Sequence, residues 1–374
     1  MKCVIVLPTY NEKKNIGILI PRLQEVFNKI KKHDMNILVV DDKSPDGTAE
    51  EVEKFQKKYR NLYLVAGDKE GLGVAYLRGF KYAADNLQPD VLFMMDSDLS
   101  HPPELLPQFM EQLSDGYDLV IGSRYIKGGG TPDWSLKRKM TSRFGNIVAR
   151  LIAGLYAIHD CTSGYRAIKF SLYRQINPRF IYTRGYAFLT TLLYELITQG
   201  AKVKEIPLVF YDRKFGETKL QTRDVIEFIQ NAVRIRFKSS ERMMKFGLVG
   251  GSGIIVNLGM FTCSKYLFNL FHALSDTTLL ASSLFGDEIS IVYNFILNHK
   301  WTFKDVTNDD HIILKLLKFH AITIISVIIN NSVLFILYKQ LQVPDVLAKF
   351  IGIIVAFLWN YFFNAKWTWR DEKY

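Results

Sequence analysis

Apolar residues come in two textures along this chain. Up to about Ser240 they mix with charges in short runs, and from Phe246 to Trp369 they merge into long blocks. In the first texture, short β-rich runs recur at Cys3–Leu7, Asn36–Val40, Leu62–Val65 and Val91–Met95. Between them the spacing turns helical. Ile16–Lys31 places apolar residues at Ile16, Leu19, Ile20, Leu23, Val26, Phe27 and Ile30; Thr48–Tyr59 is helical and charged; Gly71–Asn86 opens on glycines and continues as a helix. Strand–helix alternation of this kind predicts a parallel α/β sheet, and ligands of such sheets sit at the carboxyl ends of the strands. Pro8-Thr9-Tyr10-Asn11-Glu12, Asp41-Asp42 and Asp96-Ser97-Asp98 all fall at those ends. Lys137–Ile158 reads as an amphipathic helix with a basic start, suited either to packing on the sheet or to lying in a membrane interface.

The second texture resolves into four blocks: Phe246–Phe268, Leu279–Leu297, Leu316–Tyr338 and Val346–Phe363. As a helix the first would be ~34 Å long, enough to cross a bilayer. Asp287-Glu288 interrupts the second block, and acids inside a span face other helices and find partners there. An internal repeat pairs the blocks. Asn294-Phe295-Ile296-Leu297-Asn298-His299-Lys300-Trp301-Thr302-Phe303 closes block two, and Asn360-Tyr361-Phe362-Phe363-Asn364-Ala365-Lys366-Trp367-Thr368-Trp369 closes block four. The reading is two related helical hairpins whose Trp and Lys anchor the interface. Asn257, Asn330 and Asn331 suit interhelical hydrogen bonds. Domains are therefore expected at 1–240 and 241–374, an α/β part followed by an all-α transmembrane part of four helices.

Charge sharpens this picture. The chain carries a net +11, which in a soluble protein would suggest nucleic acid. Beside membrane spans such an excess marks the cytoplasmic side and contact with anionic lipid or phosphate, so no nucleic-acid partner is expected. Arg234, Arg236, Lys238, Arg242 and Lys245 precede block one; His299, Lys300, Lys304, Lys315 and Lys318 separate blocks two and three; Lys366, Arg370 and Lys373 end the chain. Both termini and the first domain are thus expected in the cytosol, and Met1-Lys2 runs into a strand instead of a signal peptide. Cys3, Cys161 and Cys263 form no CxxC pair, so neither a disulfide framework nor a thiolate zinc site is indicated.

Asp96-Ser97-Asp98 at a strand end supplies the carboxylates that can hold a divalent metal on a diphosphate leaving group. Alone, a D-x-D is a solvated loop. Its context changes that reading. Pro8–Glu12, Val39-Val40-Asp41-Asp42-x-Ser44-Pro45-Asp46-Gly47-Thr48 and Met95–Glu104 resemble glycosyltransferase family 2. The His101-Pro102-Pro103-Glu104 ending, with Asp160-x-Thr162-Ser163-Gly164-Tyr165-Arg166, resembles its dolichyl-phosphate mannose synthase branch. Gly122-Ser123-Arg124-Tyr125 and Arg213-Lys214-Phe215-Gly216-Glu217-Thr218-Lys219-Leu220 match further motifs, and residues 246–369 resemble the four-helix module of prokaryotic one-chain synthases.

The resemblance implies a GT-A (Rossmann-like) fold, GDP-mannose as donor and a dolichyl or other polyprenyl phosphate as acceptor, joined with inversion to a β-linked product. Pro8, Tyr10, Glu12, Val40 and Asp42 would hold the nucleoside; Asp96, Ser97, Arg213 and Lys219 would touch the donor; Asp98 would bind Mg²⁺ or Mn²⁺. Ser97 stands where many relatives carry Ala. Ser100 stands where some carry a Gln ligand, so its weaker contact to the metal is expected through water. A lipid phosphate is already an anion and needs positioning cations, not a general base. Arg124, Arg138 and Arg213, with Ser142 as hydroxyl donor, are the candidates for that work. The rival readings are a polyprenyl-phosphate transferase using UDP-glucose or another nucleotide sugar, and a membrane half acting as a lipid-sugar flippase. A processive polysaccharide synthase is disfavoured, because no Trp follows an Arg as Q-x-x-R-W requires.

Overall fold

The computed structural model describes residues 1–181, 185, 187–212, 222–270, 276–304 and 311–369. The chain divides into two compact units, Met1–Phe237 and Lys238–Tyr374.

In the first unit the expected alternation forms β1 (Lys2–Thr9), α1 (Lys13–Phe27), β2 (Asp34–Asp41), α2 (Thr48–Gln56), β3 (Leu62–Ala66), α3 (Leu72–Tyr82) and β4 (Val91–Met94). It continues as α4 (Leu106–Ser114), β5 (Leu119–Ser123), α5 (Leu136–Leu151), β6 (Arg166–Lys169), α6 (Phe170–Tyr173), α7 (Ala187–Thr198) and β7 (Val203–Pro207). The strands make one seven-stranded sheet in the order β3-β2-β1-β4-β6-β5-β7. Successive β1 side chains serve opposite faces, as a strand's period of two demands. Cys3, Ile5 and Leu7 pack with Ile16, Leu19 and Leu23 of α1. Val4 and Val6 pack with Tyr76 and Phe80 of α3.

The sheet is not the all-parallel one the alternation predicts. β6 runs antiparallel to both β4 and β5, pairing Arg166 with Met94 and with Ile121. That reversal has a direct consequence for chemistry. Residues before an antiparallel strand share an edge with residues after its parallel neighbours, so Asp160–Tyr165 meets Asp96–His101. The helix expected over 137–158 also ends earlier, at Leu151, and Gly154 then takes a left-handed φ of 79°.

Helix α8 (Thr222–Leu270) runs through the division at Phe237, and its first turns belong to the α/β unit, where Ala232 and Ile235 are buried in the core. The second unit holds the rest of α8 with α9 (Asp276–Leu297), α10 (Ile312–Phe335) and α11 (Asp345–Phe363). Among the described residues three helices are long and apolar enough to cross a membrane: Ser240–Phe268, Ile312–Gln340 and Phe350–Thr368. The second expected block, now α9, is not among them. Its two acids have partners on neighbouring helices: Asp287 accepts from Asn257 Nδ2 (2.7 Å) and Glu288 meets His320 Nε2 (3.1 Å).

The sequence repeat is also a structural one. Asn298–Thr302 and Asn364–Thr368 both wind as π-type turns. The last residue of each repeat, Phe303 and Trp369, stack on one another at 4.3 Å between centroids and 10° between planes. Gly286 and Gly352, each eight residues before its repeat's first Asn, press on Asn257 and Asn330, where an added Cβ would lie 2.9 Å and 2.7 Å from the nearest atom. Only glycine lets helices approach this closely.

Candidate active site

The carboxyl edge of the sheet carries two adjoining groups of residues. At the ends of β1 and β2, Asp41 is a structural knot. It accepts from Thr9 Oγ1 (2.9 Å), Ser44 N (2.8 Å) and Ser44 Oγ (2.6 Å), while Asn11 N donates to Ser44 Oγ. Asp42 beside it takes a hydrogen bond from Arg78 Nη1 (2.9 Å). Burial raises the Asp42 carboxyl above the usual range, opposed by Arg78. The guanidinium lies flat against Gly67, leaving no room for a side chain there. Glu12 accepts from Asn15 Nδ2 (2.5 Å), and its backbone N–H reaches Thr48 Oγ1 (3.0 Å). The Tyr10 ring is capped by Lys69 Nζ at 3.5 Å. Val40 is fully buried beneath α3, which leaves only its backbone to face a nucleoside.

Beyond β4 the backbone turns tightly, and Leu99 holds a left-handed φ of 68° between the two acids and Ser100. A non-glycine residue in that region costs of order 1–3 kcal/mol, a strain found where a site needs an unusual backbone. Asp98 is buried. Its Oδ1 accepts from Ser100 N (3.1 Å) and Ser100 Oγ (2.5 Å), so Ser100 aims the carboxylate and its proton is spent there. Ser97 Oγ likewise donates to Pro8 O (3.0 Å), tying the turn after β4 to β1.

The His-Pro-Pro-Glu segment braces this turn. His101 Nδ1 accepts the Asp96 N–H (2.9 Å), Pro102 O accepts from Tyr165 Oη (3.1 Å), and Glu104 forks with Arg22 at 2.7 Å on both oxygens. Burial lowers the His101 pKa, against the nearby Asp96 and Asp98 charges. The ring is therefore neutral near pH 7 with its proton on Nε2, 3.8 Å from Asp96 Oδ2. Gly164 lies against the same carboxylate.

A cavity of about 430 Å³ opens beside Asp96 and Asp98. Arg124, Arg138 and Ser142 line it, as do the apolar Leu72, Phe144, Leu189 and Phe228. Arg124 is held by Asp160. Nε reaches Oδ2 and Nη2 reaches Oδ1, both at 2.7 Å, and Nη2 also donates to Thr162 Oγ1 (2.8 Å). Among the described residues its Nη1 hydrogens have no acceptor. Burial opposes ionisation of the Asp160 carboxyl, but the guanidinium beside it wins and holds it below the usual range. Arg138 pairs with Asp212 at 2.6 Å. Ser142 Oγ accepts from Tyr125 Oη (2.7 Å), which leaves its own hydrogen to donate. Arg166, fully buried, clamps Leu189 O (2.6 Å) and Cys161 O (2.8 Å), and burial brings its pKa down to about 10. Arg213 and Lys219 lie outside the described residues.

Thus Asp96, Asp98, Arg124, Arg138 and Ser142 meet in one cavity, while Pro8, Tyr10, Glu12 and Asp42 stand at the ends of β1 and β2 and are not among its lining residues. Trp134, Tyr125 and Thr162 also belong to the site: Tyr125 and Thr162 stand inside motifs without having been given a role, and Trp134 stands in none. The oxygen donors are hard ligands suited to Mg²⁺ or Mn²⁺. No group of three His, Cys, Asp or Glu gathers among the described residues, so diphosphate oxygens and water would fill most of the shell.

The outer surface of α5 is apolar. Leu136, Met140, Phe144, Ile147 and Leu151 recur at helical spacing on one face and are all more than half exposed, flanked by Lys137, Lys139 and Arg143.

Residues 4–176 match the family described as glycosyl transferase family 2, and residues 245–369 match the GtrA/DPMS transmembrane domain. The dolichol-phosphate mannosyltransferase of Pyrococcus furiosus is 34% identical over 376 residues, covering 99% of each chain. The undecaprenyl-phosphate mannosyltransferase of Micrococcus luteus is 34% identical over 235 residues, covering 63% of this chain and 93% of its own. Mannosyl-3-phosphoglycerate synthase of Rubrobacter xylanophilus overlays with a TM-score of 0.46 at 19% identity, over 65% of this chain and 75% of its own.

Proposed function

The chain belongs to glycosyltransferase family 2, as a membrane mannosyltransferase with a GtrA/DPMS transmembrane domain, and from that premise we propose that it moves mannose from GDP-mannose to a polyprenyl phosphate with inversion. The observation that carries this reading is that both signs share one cavity. Asp96 and Asp98 line it together with Arg124, Arg138 and Ser142 and with the apolar Leu72, Phe144, Leu189 and Phe228. A nucleotide sugar needs metal-bridging carboxylates, and a lipid phosphate needs cations next to hydrocarbon.

Tyr10, Glu12 and Asp42 take the nucleoside, and Asp96 and Asp98 face the diphosphate. Asp98, its carboxylate oriented by Ser100, would hold Mg²⁺ or Mn²⁺, which when bound would supply charge stabilisation to the leaving diphosphate. The Nη1 side of Arg124, the Arg138 fork and the Ser142 hydroxyl orient the acceptor phosphate. Arg213 and Lys219 add cationic contacts to the donor. The acceptor is already anionic, and His101 is neutral, so no side chain needs to remove a proton. Direct attack on the anomeric carbon inverts it, giving the β-linked lipid and GDP.

Residues 1–240 carry this chemistry on the cytosolic side, with the exposed face of α5 lying in the interface, and residues 241–374 anchor the chain through four spans with both termini cytosolic. A stripe of large apolar residues flanked by basic ones suits an in-plane helix at an anionic surface. A donor competition tests the reading. Labelled GDP-mannose should give a labelled polyprenyl phosphate that excess unlabelled UDP-glucose does not suppress. Label entering the lipid from UDP-glucose and not from GDP-mannose would transfer the assignment to a glucosyltransferase.

A further inference from the structure

Trp134 stands in the loop before α5, only 7% exposed, yet it lines the cavity. Its indole is packed edge-on against Phe210, with centroids 5.3 Å apart and planes at 77°. The Arg138 guanidinium carbon lies 4.1 Å from its ring centroid and that of Arg124 lies 5.3 Å away. Phe210 is itself 5.7 Å from Arg124 and 6.0 Å from Arg138. Two like charges thus share one aromatic post.

An aromatic face and a carboxylate hold a guanidinium differently. Asp160 and Asp212 each consume N–H donors and cancel charge. A ring attracts the cation through its quadrupole and leaves the in-plane donors and the net charge in place. The post therefore fixes the direction of both arginines without neutralising them. Trp134 also carries a polar atom that the packing leaves unmatched. Its Nε1–H is buried and has no acceptor among the described residues. A buried unpaired donor is unfavourable unless something supplies the acceptor, and an anion oxygen held by the adjoining guanidinia would do so.

We propose that Trp134 is a positioning residue for an isoprenyl monophosphate: its ring face orients Arg138 and Arg124, and its Nε1–H donates to an oxygen of the same phosphate. The inference rests on the proposed function for the identity of the anion, but its test does not. The probe is citronellyl phosphate, a short isoprenyl monophosphate, titrated calorimetrically into the full chain in detergent. Trp134→Phe keeps a face and loses the donor, and should weaken binding about tenfold, the worth of one hydrogen bond to a charged group. Trp134→Leu loses both and should weaken it about fivefold more, the worth of a cation–π contact. GDP affinity should stay within about twofold throughout, since Trp134 touches no nucleoside residue.

The distinguishing readout is coupling. Arg138→Lys should cost about tenfold in the wild type, as a lost charge-assisted contact does, and about twofold in the Trp134→Leu background, because residues in contact are not additive. Equal costs in both backgrounds, or Trp134→Phe binding like wild type, would overturn the role. If Trp134→Leu does not fold, the Trp134→Phe titration decides alone. A wild-type chain that binds the phosphate in this Trp134-dependent way but transfers no mannose would sink the proposed function and leave the inference standing. Normal transfer with unchanged Trp134→Phe binding would do the reverse.

Discussion

The pair formed by Arg124 and Asp160 gives the sharpest stability test. Asp160 is fully buried, and the Arg124 side chain is 8% exposed. Asp160 Oδ2 accepts the Arg124 backbone N–H (2.9 Å) and Nε–H, while Oδ1 accepts Nη2–H. In Asp160→Asn one of these acceptors becomes an amide NH₂, so a donor faces a donor. The guanidinium is left charged in a place water hardly reaches. Removing one partner of a buried pair costs about 3–5 kcal/mol. The Thr162 hydroxyl and the opening into the cavity relieve part of this, which favours about 3–4 kcal/mol. For a unit of this size each kcal/mol lowers the unfolding midpoint by about 2–4 °C, so a fall of about 6–16 °C is expected. Thermal unfolding in detergent, followed by near-UV dichroism, reads it. Adding Arg124→Met to Asp160→Asn removes the stranded charge and should recover part of the loss, whereas two independent defects would add. Transfer to the lipid phosphate should fall at least about tenfold in Asp160→Asn as Arg124 loses its direction. A midpoint within 2 °C of wild type, with normal transfer, would refute the claim that Asp160 holds Arg124 in place.

Further outcomes follow from the same geometry. Arg124→Lys and Arg138→Lys, and Arg213→Lys, should each lose about 1.5–3 kcal/mol of transition-state binding, a roughly ten- to hundredfold fall in kcat/KM for the acceptor; full activity in all three would refute the positioning role. A chain ending at Ser239 keeps the buried Ala232 and Ile235 of α8. It should transfer sugar to a short-chain acceptor in detergent but lose efficiency with long lipid, since anchoring raises local concentration; a folded truncation that binds donor and metal yet transfers nothing would mean the spans build part of the acceptor site. His101 is held neutral with a pKa below the ordinary 6.5, so its contribution to stability is complete above that pH and is lost as pH falls below it, because the unfolded chain takes the proton first. His101→Gln should flatten this acid limb in unfolding measured between pH 7 and 5, and an unchanged slope would contradict the burial argument.

Much of the architecture was legible because it rests on periodicity. The runs at Cys3–Leu7, Asn36–Val40, Leu62–Val65 and Val91–Met95 became β1 to β4, since each alternates between two faces that pack against the core, fully buried in β1, β2 and β4 and partly so in the edge strand β3. β6 was not legible. Arg-Ala-Ile-Lys is too short to show a period, and a strand's direction is set by which neighbours accept its hydrogen bonds, which is a tertiary matter. The same holds for the site. Asp96, Asp98 and Arg124 stood out within motifs, and Arg138 and Ser142 as a cation and a hydroxyl in the basic helix over 137–158. The spending of Ser97 on Pro8 O and of Ser100 on Asp98 depends on distances that no spacing reveals. Val40 sits in a motif beside Asp42, but strand alternation turns it to the core. Trp134 gave no signal, because its partners come from Arg124, Arg138 and Phe210, which meet only in the fold. Asp287 and Glu288 were expected to find partners on neighbouring helices, but which residues those are, Asn257 and His320, only the fold shows.

The most direct test of the account is the chemical identity of the lipid product. The full chain in detergent, with GDP-mannose, a polyprenyl phosphate and Mg²⁺ or Mn²⁺, should yield a lipid one hexose heavier than the acceptor by mass spectrometry. Nuclear magnetic resonance should find the mannose β-linked to phosphate, and Asp98→Asn should abolish product while wild type accumulates it. An α-linked product, a hexose drawn only from a UDP-sugar, or undiminished turnover by Asp98→Asn would contradict the mechanism built on this cavity.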